Sequence, residues 1–319
     1  MSDQVTERFA SLRDGRRLAY LATGPRDGLL VLYLHGAIGS PQCAGPDLEA
    51  ATRDLGIRYV MVSRPGFGAS DPAPGRTLRG FARDAAALAD ELGRERFAVV
   101  GVSAGGPYAL ACAHELPERV AATAVVSCMG PGCGTPAGLP LPARLGLRGL
   151  GARPRTCARA GDALLGIARR HPRAVARVIR AGAAPADRRL LADSEAGERA
   201  AVRFLAAASG GVGGMIEDHL VCTRPWGFAP EDVRGPIQLW HGAQDQLVPI
   251  DQAMHLAAAL PLVQAALHPD EGHFFYRRRL REILGDLVAA ARAAVGEAGA
   301  PVAADRPAAT AWRAAGTGA

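Results

Sequence analysis

The chain of 319 residues contains no lysine: all 37 of its basic side chains are arginine. Against 31 acidic residues they leave a formal charge of +6, but no basic stripe interleaved with aromatics runs through the sequence. The surplus of Arg, Ala, Gly and Pro reads as GC-rich coding, so a nucleic-acid partner is not expected. Cysteine is sparse as well. The six at 43, 112, 128, 133, 157 and 222 form no Cys-x-x-Cys pair and share no ligand spacing with histidine. Reduced thiols and no metal site are the expectation. No apolar run reaches membrane-spanning length, and the opening MSDQVTERF lacks the apolar core of a signal peptide. A cytoplasmic protein with no membrane partner follows as an expectation.

What is present alternates between two kinds of segment. Glu7–Leu12 and Arg17–Ala22 read as short strands joined at an Asp-Gly turn. The apolar runs at Leu29–Leu34, Tyr59–Ser63, Phe97–Val100, Val120–Ser127, Ile237–Trp240 and Gln264–His268 read as buried strands. Helices are expected up to Leu55, over Thr77–Leu92 with Thr77 as N-cap, after Ser103, over Asp251–Leu260 and over Phe274–Val295. Strands alternating with helices predict an α/β fold with a mainly parallel sheet covered on both faces. From about residue 130 to 235 the pattern shifts to short Arg- and Ala-rich amphipathic runs, read as a helical insertion. Within it Gly210-Gly211-Val212-Gly213-Gly214 reads as a flexible break. The core is therefore assigned to 1–129 and 236–295, the insertion to 130–235, and a disordered tail to 296–319.

One stretch carries chemistry. Gly101-Val102-Ser103-Ala104-Gly105 sits between a predicted strand and a predicted helix, the setting that a G-x-S-x-G nucleophile elbow requires. A serine held in that tight turn leaves no room for side chains two residues either side. By composition alone roughly 0.13 such matches arise per chain, so the flanking strand and helix carry the argument. Two further loops complete it. Asp245 and His273 each follow a predicted strand and leave the same carboxyl edge of the sheet as Ser103, which suits a relay from hydroxyl to imidazole to carboxylate.

Five motifs together resemble the α/β-hydrolase superfamily: HGAIG (35–39), SRPGFGASD (63–71), GVSAGG (101–106), HGAQDQLVP (241–249) and EGHF (271–274). The resemblance, closest to actinobacterial hydrolases of proline-iminopeptidase-like and haloperoxidase-like branches, implies an α/β-hydrolase fold with a helical cap at 130–235. It implies Ser103 as nucleophile, His273 as general base, Asp245 as orienting acid, and the backbone N–H groups of Ala37 and Ala104 as oxyanion hole. No cofactor is implied. The absence of an HGGPG loop argues against iminopeptidase activity, and a Ser nucleophile argues against epoxide hydrolases and haloalkane dehalogenases.

Rival readings stand beside these. Asp251 is read as a helix cap and Asp270 as the alternative acid for His273. His35 and His241, each before a glycine, are read as structural, and His114, His171, His255 and His268 as surface or packing residues. His219 in the insertion could touch substrate, and Trp226 and Phe228 either pack or line a pocket. The expected activity is a serine hydrolase acting through an acyl-enzyme on an ester or related small carbonyl substrate. Its alternatives are a catalytically silent ligand-binding protein and a lyase or carbon–carbon hydrolase with the same triad.

Overall fold

A computed structural model of the chain describes residues 6–37, 46–132, 149–150, 152–181, 183–190, 194–296 and 313–314. Eight strands form its sheet: β1 (Arg8–Ser11), β2 (Arg17–Thr23), β3 (Leu29–Leu34), β4 (Ile57–Val62), β5 (Phe97–Val102), β6 (Val120–Val126), β7 (Ile237–Gly242) and β8 (Val263–His268). They lie in the order β1-β2-β4-β3-β5-β6-β7-β8, and Arg313–Ala314 adds two paired residues beyond β8. The first two pairings, β1 with β2 and β2 with β4, are antiparallel; from β4 to β8 every pairing is parallel. Every residue of β4, β5, β6 and β7 is buried, as strands covered on both faces must be.

Five helices belong to the core: α1 (Pro46–Asp54), α2 (Leu78–Glu91), α3 (Gly105–Glu115), α9 (Ile250–Ala259) and α10 (Tyr276–Gly296). One apolar layer packs Leu88 of α2, Leu110 of α3 and Leu256 of α9 on one face of the sheet. The other packs Leu48 of α1 and Ile283, Leu284 and Leu287 of α10 on the opposite face. Thr77 caps α2 as expected, its side chain accepting from Gly80 N–H at 2.9 Å. Asp251 does not cap: it lies in the first turn of α9, behind Pro249 at the N-cap position. Proline there leaves Asp251 to act on the helix dipole.

Between β6 and β7 the described residues hold α4 (Pro154–Arg170), α5 (Pro172–Ala181), α6 (Pro185–Leu190), α7 (Ser194–Ala207), α8 (Gly213–Thr223) and a short 3₁₀ turn (Pro230–Asp232). This helical insertion stands where the resemblance places a cap. The flexible break expected at Gly210–Gly214 is corrected here: Gly213 and Gly214 open α8. A Cβ at Gly214 would overlap the carbonyl of Gly66, so glycine lets the cap helix approach the 63–72 loop backbone to backbone. The expected tail, apart from Gly296, Arg313 and Ala314, lies outside the described residues, as does most of 130–150. No described helix is long and apolar enough to cross a membrane.

Candidate active site

Ser103 occupies the turn between β5 and α3 with φ +55°, a left-handed conformation that costs a non-glycine residue about 1–3 kcal/mol. Its neighbours explain why the turn can be so tight. A Cβ at Gly101 would run into the carbonyl of Gly105, and one at Gly105 into the carbonyl of Leu34 on β3. Ser103 N–H donates to Val126 O at 2.8 Å, which ties the turn to the end of the neighbouring strand. Ala104 follows as the N-cap residue of α3, fully buried, where no intrahelical acceptor exists for its N–H. The His35-Gly36-Ala37 loop after β3 lies against this turn, since a Cβ at Gly36 would be 3.3 Å from Ser103 Cβ and 3.8 Å from Oγ. Ile38 to Ser40 fall outside the described residues.

Asp245 and His273 come together. His273 Nδ1 donates to Asp245 Oδ2 at 2.7 Å, and both residues are buried. The other oxygen, Oδ1, accepts from Leu247 and Val248 N–H, each at 2.8 Å, so the carboxylate is held from both sides. Asp270, the rival acid, is exposed. Burial works against charge on both partners, but their proximity outweighs it: His273 is held above the ordinary histidine range and Asp245 below the usual carboxylate range. Because a carboxylate only accepts, the proton sits on Nδ1 and Nε2 is left as an acceptor. Ser127, in a second left-handed turn (φ +47°) at the end of β6, donates its hydroxyl to His273 O at 3.2 Å. The ends of β5, β6, β7 and β8 thus meet at one carboxyl edge, where open parallel sheets place their ligands.

Two cap carboxylates that the motifs do not mark complete the surroundings. Asp218 of α8 forms a fully buried pair with Arg64, with Nε–Oδ1 at 3.2 Å and Nη2–Oδ2 at 2.7 Å. Arg76 reaches Asp218 at 3.4 Å, Glu217 at 3.1 Å and the carbonyl of Gly214 at 2.7 Å. Arg64 also donates to the carbonyl of His35, and its own N–H meets His35 Nε2 at 3.3 Å. Burial, aided by the Arg64 charge, pushes His35 down to about 3, so it stays neutral and structural. Asp187 of α6 accepts from His273 N–H at 2.9 Å and Phe274 N–H at 2.8 Å.

Three further histidines pack or hydrogen-bond within the fold. His241 holds Val248 O at 3.0 Å, His268 packs between Trp240 and Phe275, and His114 stacks on Phe228. Trp226 lines a cleft of about 1000 Å³ between the start of α2 and cap helices α4 and α8. None of Ser103, Asp245 or His273 lines that cleft. Among the described residues no three His, Cys, Asp or Glu side chains stand close enough together to hold a metal ion.

The fold agrees with the comparison to known proteins. A family model described as the alpha/beta hydrolase fold matches residues 30–277. The chain belongs to this family. It is 30% identical over 218 residues to a pimeloyl-[acyl-carrier protein] methyl ester esterase of Aromatoleum aromaticum, covering 68% of this chain and 81% of that one. A 2-hydroxy-6-oxo-6-phenylhexa-2,4-dienoate hydrolase of Comamonas testosteroni is 38% identical over 112 residues, 33% of this chain and 37% of that one. Matches of this shorter kind span from 36% to 47% of the relatives' own length. A solved hydrolase of Pseudomonas aeruginosa superposes with TM-score 0.67 at 18% identity, over 90% of this chain and 99% of that one.

Proposed function

We propose that this α/β-hydrolase is a serine esterase. The observation that carries the reading is the buried 2.7 Å bond from His273 Nδ1 to Asp245, which leaves Nε2 as a base on the edge that bears the strained Ser103. In the first half-reaction Ser103 Oγ attacks the ester carbonyl carbon while Nε2 takes the hydroxyl proton. The carbonyl oxygen becomes an oxyanion, received by the N–H groups of Ala37 and Ala104. Collapse of the tetrahedral adduct breaks the ester C–O bond, and the leaving alcohol takes the proton from His273. Water then attacks the acyl-enzyme with the same base, releasing the acid and restoring Ser103. Similarity to a methyl ester esterase over 81% of its length supports the choice of bond.

A second reading, hydrolysis of a carbon–carbon bond by the same three residues, is favoured by the 38% identity to a dienoate hydrolase. A fluorophosphonate probe followed by peptide mapping tests the nucleophile, and Ser103 is the expected attachment point. Hydrolysis of p-nitrophenyl esters with Ser103-dependent turnover supports the esterase. Turnover of a vinylogous 1,5-diketone without ester turnover would replace it with the second reading. A protein that neither labels nor turns over is a silent binder.

A further inference from the structure

Among the described residues Asp187 is a buried acid in no ion pair with an arginine. It stands in the first turn of α6, 1% exposed, and both oxygens point at backbone: Oδ2 accepts from His273 N–H and Oδ1 from Phe274 N–H. The loop has been shaped to admit it. A Cβ at Gly272 would have three Asp187 carboxyl atoms as its nearest neighbours, each 2.6 Å away, although Gly272 has no left-handed φ that would itself demand glycine. A carboxylate buried without a countercharge is expensive, and desolvation indeed pushes Asp187 above the usual carboxylate range despite the two N–H groups. An alanine there would be cheaper if the cap needed only to pack.

We propose that Asp187 is a positioning residue for the catalytic base: a cap carboxylate that clamps the backbone of Gly272-His273-Phe274 and so aligns the His273 ring between Asp245 and Ser103. The inference rests on the esterase reading for its chemistry. It makes the cap a working part of the triad, because the base is in register only while α6 is seated on its loop. It also supplies a second negative charge beside the imidazolium that forms during turnover. The charged and titratable groups facing His273 are Asp245 after β7, His241 of β7, Asp187 of the cap and Arg277 of α10. Among them Asp245 and Asp187 both favour the protonated ring.

The test uses the full-length protein and three substitutions. Asp187→Ala removes both acceptors, and misplacing a base by about 1 Å costs on the order of 10²-fold in kcat with little change in KM. Asp187→Asn keeps the size and one acceptor but not the charge, so its loss in kcat is smaller. Both variants move the acidic limb of the labelling rate to lower pH, since a carboxylate that favoured the imidazolium is gone. A merely structural role would leave that limb in place. Gly272→Ala drives a methyl into the carboxyl group from the other side. It lowers kcat alone but adds nothing in an Asp187→Ala background, a non-additivity expected of residues in contact. If Asp187→Ala fails to fold, Asp187→Asn and Gly272→Ala still decide.

Amide hydrogen exchange reads the clamp without any substrate: His273 and Phe274 N–H groups are protected in the wild type and exposed in Asp187→Ala. Equal exchange with and without Asp187, or wild-type kcat and an unmoved acidic limb in Asp187→Asn, overturns the proposal. A wild-type protein that does not label at Ser103 would instead overturn the esterase reading, leaving the exchange result to judge the clamp by itself.

Discussion

Among the described residues one buried acid–base pair lies at the sheet edge and another beneath the cap, and they are built for different ends. Asp245 at the edge faces an imidazole. Asp218 under the cap faces two guanidinium groups, those of Arg64 and Arg76. Burial opposes the charge on each carboxylate, and in each case the partner's charge outweighs it, so both acids sit below the usual range. The difference is in the partner. A guanidinium cannot release its proton in water's working range, so Arg64–Asp218 is a fixed joint between cap helix, 63–72 loop and His35. An imidazole can, so Asp245–His273 is able to take up and release a proton. Where the cation can titrate, the pair is suited to chemistry; where it cannot, it joins the helical insertion to the loop beneath it.

That contrast predicts losses of different kinds. The largest is at the edge. Ser103→Ala should cut turnover by roughly 10⁴–10⁶-fold with an unchanged circular dichroism spectrum, because only the nucleophile is lost. Asp245→Asn follows at about 10⁴-fold. Its amide oxygen can still accept from Leu247 and Val248, but its NH₂ would face His273 Nδ1 and force the proton onto Nε2. Steady-state kinetics on a p-nitrophenyl ester reads both. Near-wild-type turnover in either variant would dissolve the distinction between the two pairs.

Under the cap the loss should appear in stability. Asp218→Ala leaves Arg64 buried and uncompensated, for which breaking a buried pair costs about 3–5 kcal/mol in urea denaturation. Replacing both partners at once, as Arg64→Met with Asp218→Leu, should recover much of it, since the pair's desolvation cost disappears with its attraction. If the single variant is as stable as wild type, the joint is not holding the cap. A smaller effect is expected of Gly214→Ala, whose methyl must push α8 away from Gly66. Overpacking of that kind costs about 1–3 kcal/mol.

The two regions also differ in how far they could be read from residues alone. At the edge Ser103, Asp245 and His273 each follow their own strand within a few positions, and an apolar run before a glycine-rich turn is a local signal. The strands, the tight turn at Ser103 and the meeting of Asp245 with His273 were legible for that reason. The cap residues act across distance: Asp218 meets Arg64 154 positions away and Asp187 meets His273 86 positions away. Asp187, two residues after Pro185, looks like an ordinary acid complementing a helix start. The reading of Glu217-Asp218-His219 attended to His219, whereas the buried pair with Arg64 is made by its neighbour Asp218. Gly213-Gly214 looked like a hinge because glycine's permissiveness and its small size leave the same trace in sequence. Only the opposing Gly66 backbone separates them.

The smallest expected effect is a displacement along the pH axis with the plateau intact. Nucleophilic attack needs His273 neutral, so the acidic limb of kcat/KM follows the imidazole of the free enzyme. Asp245 and Asp187 raise that group against the opposing pull of burial, which places the limb's midpoint above about pH 6.5. The same shift appears in stability, with its own sign. A histidine raised in the folded state contributes stabilisation that is fully present below about pH 6.5 and is lost as pH climbs through the folded value. Asp245, lowered in the folded state, contributes above about pH 3.9 and loses its share as pH falls through its folded value. Arg64–Asp218 loses nothing on the alkaline side, because its cation does not titrate there. Denaturation midpoints for wild type and His273→Gln between pH 5 and 9 therefore separate the pairs. The difference between the two proteins should shrink as pH rises, whereas the deficit of Asp218→Ala should stay level across the same range. A midpoint below pH 6.5 in the wild-type activity profile, with a level His273→Gln deficit, would mean that desolvation and not the carboxylates governs His273.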